Sequence, residues 1–289
     1  MEPLFDWLYA SPIGRRVRPL LTRSRLLHRA VERFADSRAS APLVPWLVRR
    51  YGIDLGEAVV PPGGFRTLNG CFTRELLPGA RQVDPDPSTL VSPADARLLL
   101  AGPIDDALRL RIKDGTFSVT DLVGDPALAR GLIGGSSAIF RLYAADCHRL
   151  HFPCAGVPSA PRLVPGGYES VSPRPGNDLP FYVLNRRTVT TLETARFARL
   201  VFVDVGGFLV GSIRHLAVPG LRAEKGTLRS LFRFGGSTLV LLAPEGAIEW
   251  DRALLAASAR GEETPVRIGQ PIGRASRAFP SPPPGERAG

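Results

Sequence analysis

The stretch LVFVDVGGFLVGSI at residues 200–213 decides the fold class, because short apolar runs flank a central Gly206-Gly207 pair. Runs of this length next to glycine are typical of buried strands joined by a tight turn. Similar runs, separated by Gly, Pro and Asp, begin at about residue 64 and continue beyond this stretch. The predicted strands are residues 97–101, 137–143, 181–184, 200–205, 208–215 and 238–242.

The order of elements indicates an α+β fold rather than a doubly wound sheet, because helices do not alternate regularly with the strands. Short helices are predicted at residues 120–132 and 250–258, within the strand-rich part. We therefore expect a β-rich, mostly antiparallel catalytic core over residues 64–275, preceded by amphipathic helices in residues 1–63. The Pro-rich residues 276–289 are predicted to be a disordered tail.

Composition argues against several classes of protein. In 289 residues no stretch approaches the roughly 20 consecutive apolar residues of a membrane-spanning helix. A secretory signal is not expected, because acidic residues precede the first basic cluster and no continuous apolar core follows, so the mature chain should begin near Met1. Three cysteines, Cys71, Cys147 and Cys154, are too few for a disulfide framework and favour a reducing compartment.

Positive charge is concentrated at the amino terminus. Residues 1–50 hold ten arginines against four acidic residues and so supply +6 of the net charge of +10. A basic amphipathic helix is predicted over residues 17–36, which either docks on the protein's own core or lies in a lipid headgroup layer. Only two of the 37 cations are lysine, so a general bias towards arginine is the alternative explanation. The apolar stripe is Leu20, Leu27, Ala30, Val31 and Phe34, and the arginines largely off it are Arg23, Arg25, Arg29 and Arg33.

Two of the four histidines lie in the segment CHRLH at residues 147–151. On a helix His148 and His151 would share one face, whereas on a strand they would point to opposite sides. Polar residues at the end of a strand are one interpretation. A metal site with Cys147 and Cys154 is another, but the spacing lacks the paired C-x-x-C of common zinc sites.

Two Gly-Gly-Ser elements, at residues 134–136 and 235–237, each enter an apolar run. A turn before a strand explains both. The second lies between a basic segment and TLVLLA, where a strained peptide bond could be held at a buried edge. Asp95, His151 and Ser237 are the residue types of an orienting acid, a base and a nucleophile, which need not be close in sequence.

Six segments occur in the order and spacing of the phosphatidylserine decarboxylases, and the chain resembles that family over residues 64–245. The two histidines of H-x-x-H, followed by K-G and later by G-S-T, are the most specific part. The family usually carries other residues at Ala96, Cys147, Leu228 and Ser230, and these differences bear on substrate preference. The segments are FTRELLPGAR (72–81), SPADARL (92–98), FRLYAADCHRLHFPCAG (140–156), FYVLNRRTVTTLET (181–194), VGGFLVGSI (205–213) and KGTLRSLFRFGGSTLVLL (225–242).

The resemblance implies a carboxy-lyase proenzyme that cuts its own chain between Gly236 and Ser237. Asp95 would orient His151, His151 would act as the base, and the Ser237 hydroxyl would attack the Gly236 carbonyl. Ser237 would then become a covalent pyruvoyl group, so that neither pyridoxal phosphate nor a metal is expected. This group would form a Schiff base with phosphatidylserine and yield phosphatidylethanolamine, with His148 transferring the proton.

The implied substrate lies in a bilayer, so the resemblance also implies a partner for the basic region. An anionic membrane surface is the expected partner of residues 1–63, with the protein peripheral on the cytoplasmic side of the cell membrane. The β chain, residues 1–236, and the α chain, residues 237–289, should stay together as a heterodimer. The resemblance leaves a homo-oligomer open and implies no nucleic-acid partner.

Three other functions compete with this interpretation. A related pyruvoyl decarboxylase of a soluble amino acid would share the core motifs without needing the basic region. A Ser-His-Asp hydrolase would use Ser237 on an external ester, but G-S-T lacks the G-x-S-x-G nucleophile elbow. A non-catalytic membrane-binding descendant would be expected to have lost one of the four residues Asp95, His148, His151 and Ser237.

Overall fold

The computed structural model of the chain describes residues 7–112, 115–170, 185–208, 213–235 and 237–276. The helices are α1 (Pro12–Arg23), α2 (Arg25–Asp36), a 3-10 helix (Arg38–Leu43), α3 (Val44–Tyr51), α4 (Leu68–Phe72), α5 (Val119–Val123), α6 (Pro126–Arg130) and α7 (Arg252–Ala259). The strands are β1 (Thr89–Val91), β2 (Ala96–Ala101), β3 (Arg109–Ile112), β4 (Gly115–Ser118), β5 (Ser136–Leu142), β6 (Arg149–His151), β7 (Val157–Pro158), β8 (Arg162–Val164), β9 (Arg187–Glu193), β10 (Arg199–Gly206), β11 (Ile213–His215), β12 (Leu228–Phe232), β13 (Ser237–Ala243), β14 (Ile248–Trp250), β15 (Thr264–Val266) and β16 (Pro271–Ala275).

The predicted α+β class is confirmed. Helices α1 to α3 precede the strands, and the pairings between named strands in the described ranges are all antiparallel. The largest sheet has eight strands in the order β15-β2-β5-β13-β10-β9-β7, with β8 also paired to β9. A second sheet, in the order β11-β12-β6, carries the segment with the two neighbouring histidines.

Strand β13 lies in the middle of the large sheet, and each of its residues is buried. Its side chains alternate between two apolar layers, so that Leu239 and Leu241 face one cluster while Val240 and Leu242 face the other. Burial of a Val or Leu side chain is worth about 1.5–3 kcal/mol, so this strand is firmly held. Ser237 shares the face of Leu239 and Leu241, which is the face covered by the β11-β12-β6 sheet through Leu150 and Phe232.

The predicted pair of strands around Gly206-Gly207 needs a correction. β10 is a buried strand as expected, but both of its edges are already paired, one with β9 and the other with β13. β11 therefore joins β12 in the other sheet, and Phe208 lies in a turn rather than in a strand. The predicted strand at residues 181–184, residues 209–212 and the tail at residues 277–289 lie outside the described residues.

Two predicted helices are each broken in two by capping residues. Residues 17–36 divide at Ser24, whose hydroxyl accepts the Leu27 N–H at 3.3 Å and starts α2. Residues 120–132 divide after Gly124, which ends α5 with a φ of 63°, and Asp125 then caps α6. The predicted helix at residues 250–258 is confirmed as α7, which Asp251 caps.

The apolar stripe predicted for residues 17–36 is not the buried face of these helices. The buried residues are Gly14 and Thr22 in α1 and His28 and Ala35 in α2, whereas Leu20 is 73% exposed. The inner face therefore docks through small and polar side chains and leaves large apolar side chains on the outside. Among the described residues, no helix has both the length and the apolarity to cross a lipid bilayer.

Candidate active site

Ser237 begins β13 at the edge of the layer between the two sheets. It pairs with Gly206 of β10 on one side and with Leu142 of β5 on the other. Directly opposite residues in a sheet point to the same face, so Gly206 adds no side chain next to the Ser237 hydroxyl. That hydroxyl is fully buried and has no hydrogen-bond partner among the described residues. Buried hydroxyls are normally hydrogen-bonded, so an unpartnered one calls for a functional explanation.

His151 lies on β6, between the segment that contains Asp95 and strand β12. Its backbone N–H donates to the Pro93 carbonyl at 2.8 Å, and its β12 partner is Leu228. Burial and the charge of Arg149 lower the pKa of His151 to about 4, although the nearby Asp95 charge opposes this shift. The imidazole is therefore neutral near pH 7, and its Nδ1 has no hydrogen-bond partner in the described ranges.

The Asp95 carboxylate is held by an arginine that the sequence analysis did not single out. Arg81 Nε donates to both carboxylate oxygens, at 2.9 and 3.1 Å, and Arg81 Nη2 donates to Oδ2 at 2.7 Å. The Ile268 N–H donates to Oδ1 at 2.9 Å. No hydrogen bond joins Asp95 to His151 in the described part of the chain, so the orienting role of Asp95 stays a prediction.

His148 lies at the other end of the same segment, with its ring fully buried. Its Nδ1 is 3.0 Å from the Asp146 carbonyl oxygen, which assigns the proton to Nδ1 and leaves the lone pair on Nε2. Burial lowers the pKa of His148 to about 3, so the ring is neutral. The Nε2 atom has no partner among the described residues. The Phe232 N–H donates to the His148 carbonyl at 3.0 Å, which holds His148 beside the chain leading to Ser237.

The segment before Ser237 is held by short helix α4. The Phe234 N–H donates to Asn69 Oδ1 at 2.7 Å, and the Phe234 ring packs edge-to-face against Phe72 with centroids 5.4 Å apart. Phe72 also lies 3.7 Å, centroid to centroid, from the ring of His148. Gly235 has a φ of 137°, a conformation that favours glycine. Gly236 itself lies outside the described residues.

The one sequence signal for Phe72, Arg81 and Asn69 was their position in or beside a segment shared with the family. Phe72 and Arg81 are the first and last residues of the segment FTRELLPGAR, but the pattern of residue types assigned them no role. Asn69 lies just before that segment. Their functions depend on contacts with Phe234 and Asp95, which are distant along the chain, and so are visible only in the fold.

The metal interpretation of residues 147–154 finds no geometric support. Cys147 Sγ lies 3.8 Å from the Arg74 carbonyl, and burial raises the pKa of the Cys154 thiol to about 12. The described part of the chain contains no group of three or more His, Cys, Asp or Glu side chains arranged for a metal ion.

The other Gly-Gly-Ser element is an ordinary turn before a strand. A Cβ atom at Gly135 would lie 2.1 Å from the Ala243 carbonyl oxygen, and Gly134 has a φ of 72°. Packing therefore requires glycine at position 135, and the backbone conformation favours glycine at position 134. The Ser136 hydroxyl accepts a hydrogen bond from Trp250 Nε1 at 2.9 Å, unlike the unpartnered hydroxyl of Ser237.

Comparison with known proteins gives a consistent result over most of the chain. A family model described as phosphatidylserine decarboxylase matches residues 68–274. A phosphatidylserine decarboxylase proenzyme of Chlamydia muridarum is 36% identical over 263 residues, which are 91% of this chain and 87% of that protein. Proenzymes of the same name from Clostridium botulinum and Ruminiclostridium cellulolyticum are 31% and 33% identical, over 94% and 93% of this chain and 92% and 90% of their own lengths.

Proposed function

The chain belongs to the phosphatidylserine decarboxylase family, and we propose that it is a proenzyme that cuts itself before Ser237 and then decarboxylates phosphatidylserine to phosphatidylethanolamine. The observation that carries the proposal is the buried Ser237 hydroxyl, which has no hydrogen-bond partner among the described residues. It lies on the face covered by the sheet that carries His151, and it belongs to the G-S-T motif of the resemblance.

In the proposed first step, His151 accepts the proton of the Ser237 hydroxyl while the oxygen attacks the Gly236 carbonyl carbon. The Gly236–Ser237 C–N bond breaks as that proton passes to the released amine, so the amide becomes an ester. Loss of the α-proton of residue 237 then expels the Gly236 carboxylate. Water replaces the amine, which leaves as ammonia, and residue 237 becomes a pyruvoyl group at the start of residues 237–289.

The residues present fit a pyruvoyl group at position 237. Conversion of Ser237 removes a hydroxyl that makes no hydrogen bond to the described residues. Once formed, the group supplies an electron sink for the electrons released when CO₂ leaves. His148 keeps its Nδ1 proton on the Asp146 carbonyl, so we assign its unprotonated Nε2 to accept a proton from the ammonium group of the substrate and then to pass that proton to the product.

Self-cleavage should keep a nearly constant rate from about pH 8 to about pH 5 and should slow as the pH approaches 4. The pKa of His151 is lowered to about 4, below its ordinary value of about 6.5, so the neutral, basic form persists across this range. The measurement is the fraction of newly synthesised chain cut over time at each pH, determined by denaturing mass spectrometry.

A fold control is required for this pH series. Buried neutral histidines take up protons when the chain unfolds, so stability falls as the pH drops below about 6.5. Circular dichroism at each pH separates unfolding from loss of the base. A decline in the cleavage rate of the folded protein centred near pH 6.5 would contradict the assignment of a buried His151 as the base.

We also propose that α1 and α2 lie on an anionic membrane surface. Leu20 is 73% exposed and Leu26 is 78% exposed, while the inner face of these helices is already docked on the protein. Exposed arginines surround these side chains, and such a combination suits a lipid headgroup layer. The arginines are Arg23, Arg25, Arg29 and Arg33.

Replacement of these four arginines by Gln should weaken binding to vesicles that contain anionic lipid. Each Arg near such a surface contributes on the order of 1 kcal/mol, and salt screens this attraction over about 10 Å at about 0.1 M. Co-sedimentation across a salt series measures the effect. The matched control replaces four exposed arginines outside the amino-terminal region and should bind as the parent does. Equal binding by both variants at every salt concentration would contradict the proposal. The control residues are Arg109, Arg130, Arg196 and Arg252.

A further inference from the structure

The segment before the cleavage site is tied to helix α2 through Arg233. Arg233 Nη1 lies 2.9 Å from Glu32 Oε1 and 2.7 Å from Asp36 Oδ2. Both carboxylates are on the last turns of α2, the helix whose outer arginines were assigned to lipid. One helix therefore presents arginines to the outside and two acids to the chain that leads to Ser237.

Asn69 makes a second connection between α2 and the same segment. Its Nδ2 donates to Asp36 Oδ1 at 2.9 Å, and its Oδ1 accepts the Phe234 N–H at 2.7 Å. Asn69 is 5% exposed and the Asp36 side chain is 41% exposed, so the two bonds are partly shielded from water. We call the chain of bonds through Asp36, Asn69 and Phe234 the Asn69 bridge.

The Asn69 bridge and the histidine site share α4. Phe72, on the same helix as Asn69, packs against both the Phe234 ring and the His148 ring. Gly235, which follows Phe234, has a φ of 137° and so continues the chain in a direction that most residues disfavour. The conformation of Phe234 and Gly235, which precede Gly236, therefore depends on contacts from α2 and α4.

We propose that Asp36 and Asn69 are positioning residues for self-cleavage, an inference that rests on the proposed function. By holding the Phe234 N–H, the Asn69 bridge directs the chain so that the Gly236 carbonyl, two residues further on, is open to attack by the Ser237 hydroxyl. Reaction rates depend steeply on such pre-orientation, because a reacting pair held close to its attack geometry avoids most of the entropic cost. The inner face of α2 thus helps build the active site, while its outer face is left for lipid.

Asn69 donates to Asp36 and accepts from Phe234, so exchanging the amide and the carboxylate tests the Asn69 bridge without changing the net charge. Asn69→Asp still accepts the Phe234 N–H, but it sets a second carboxylate against Asp36. Asp36→Asn with Asn69→Asp restores a donor facing an acceptor and keeps the net charge of the parent. In Asp36→Asn alone, the new amide group faces two donors, Asn69 Nδ2 and Arg233 Nη1. Its NH₂ must then lie against one of them.

Newly synthesised chains of each variant are followed by denaturing mass spectrometry, and thermal unfolding is measured on the same samples. Each single variant should be cut about tenfold more slowly or worse, the effect of one charged hydrogen bond, and the double variant should return to within about threefold of the parent. Arg233→Gln, which removes the partner of Glu32 and Asp36, should also slow cleavage. The matched control is Glu262→Gln, which breaks the exposed ion pair with Arg260 and should be cut like the parent.

The outcomes separate this inference from the proposed function. If the parent chain is never cut, the proposed function fails and the inference falls with it. If the parent is cut, and folded Asn69→Asp and Arg233→Gln are cut at the parental rate, only the inference is overturned. It is also overturned if the double variant folds with the parental unfolding midpoint but is cut no faster than the single variants.

Discussion

Ser237→Ala should abolish self-cleavage and leave one intact chain, whereas the parent should be recovered as residues 1–236 and residues 237–289. The hydroxyl oxygen is the proposed nucleophile, and no neighbouring atom of alanine can replace it. The substitution should leave the fold intact, because the Ser237 hydroxyl has no hydrogen-bond partner among the described residues. Its removal eliminates an unpaired buried polar group and leaves no other group unpaired. Intact mass under denaturing conditions and the thermal unfolding midpoint measure both effects.

Ser136→Ala provides the matched control, because Ser136 also follows two glycines and also begins a strand. The Ser136 hydroxyl accepts a hydrogen bond from Trp250 Nε1, and the two preceding glycines are explained by the structure of the turn. This variant should therefore be cut like the parent. In the parent, residues 237–289 should lack a free amino terminus, since a pyruvoyl group carries no amine. Cleavage of the parent between Gly135 and Ser136 would refute the assignment.

The second large effect separates the two histidines. His151→Ala should slow self-cleavage by about 100-fold or more, the usual contribution of a general base, because the proton of Ser237 then has no acceptor. His148→Ala should still be cut but should decarboxylate phosphatidylserine about 100-fold more slowly, because the proton transfer to the product is affected. Denaturing mass spectrometry measures the first step, and CO₂ release from phosphatidylserine vesicles measures the second.

His215→Ala is the control for this pair. His215 lies in the same small sheet as His151, but its Nε2 is 2.9 Å from Thr188 Oγ1, and it has no role in the proposed chemistry. It should be cut and should turn over substrate as the parent does. Failure of His148→Ala and His151→Ala at the same stage would show that this division of roles is wrong.

Asp95→Asn should also slow self-cleavage, but its effect has two physical sources. The carboxylate charge favours the protonated form of His151 during the reaction, and the same carboxylate is the partner of the Arg81 guanidinium. Removing one member of a largely buried ion pair leaves the other uncompensated. The unfolding midpoint therefore has to be measured with the cleavage rate, and His151→Ala remains the cleaner test of the base.

Local sequence was sufficient for the class of fold, and the family resemblance named the chemical groups. Short apolar runs bounded by Gly and Pro predicted β2, β5, β10 and β13 to within a few residues, because apolar runs and the turn residues that flank them are local features. Residue types alone left a turn before a strand and polar residues at a strand end as alternatives, and the resemblance, carried by the G-S-T motif and the two histidines, identified the candidate nucleophile and base. The site roles themselves remain predictions until cleavage is measured.

Tertiary structure decided which segments meet, because strand pairing and ion pairing carry no local signal. β11 leaves β10 and joins β12 only because both edges of β10 are already occupied. Asp95 meets Arg81, which is 14 residues away along the chain, and Glu32 meets Arg233 across 201 residues. The sequence predicted the amino-terminal helices as a basic amphipathic region beside a separate core. In the structure α2 contacts the segment that precedes Ser237. Folding buries small and polar side chains on the inner face of these helices and leaves the large apolar side chains outside.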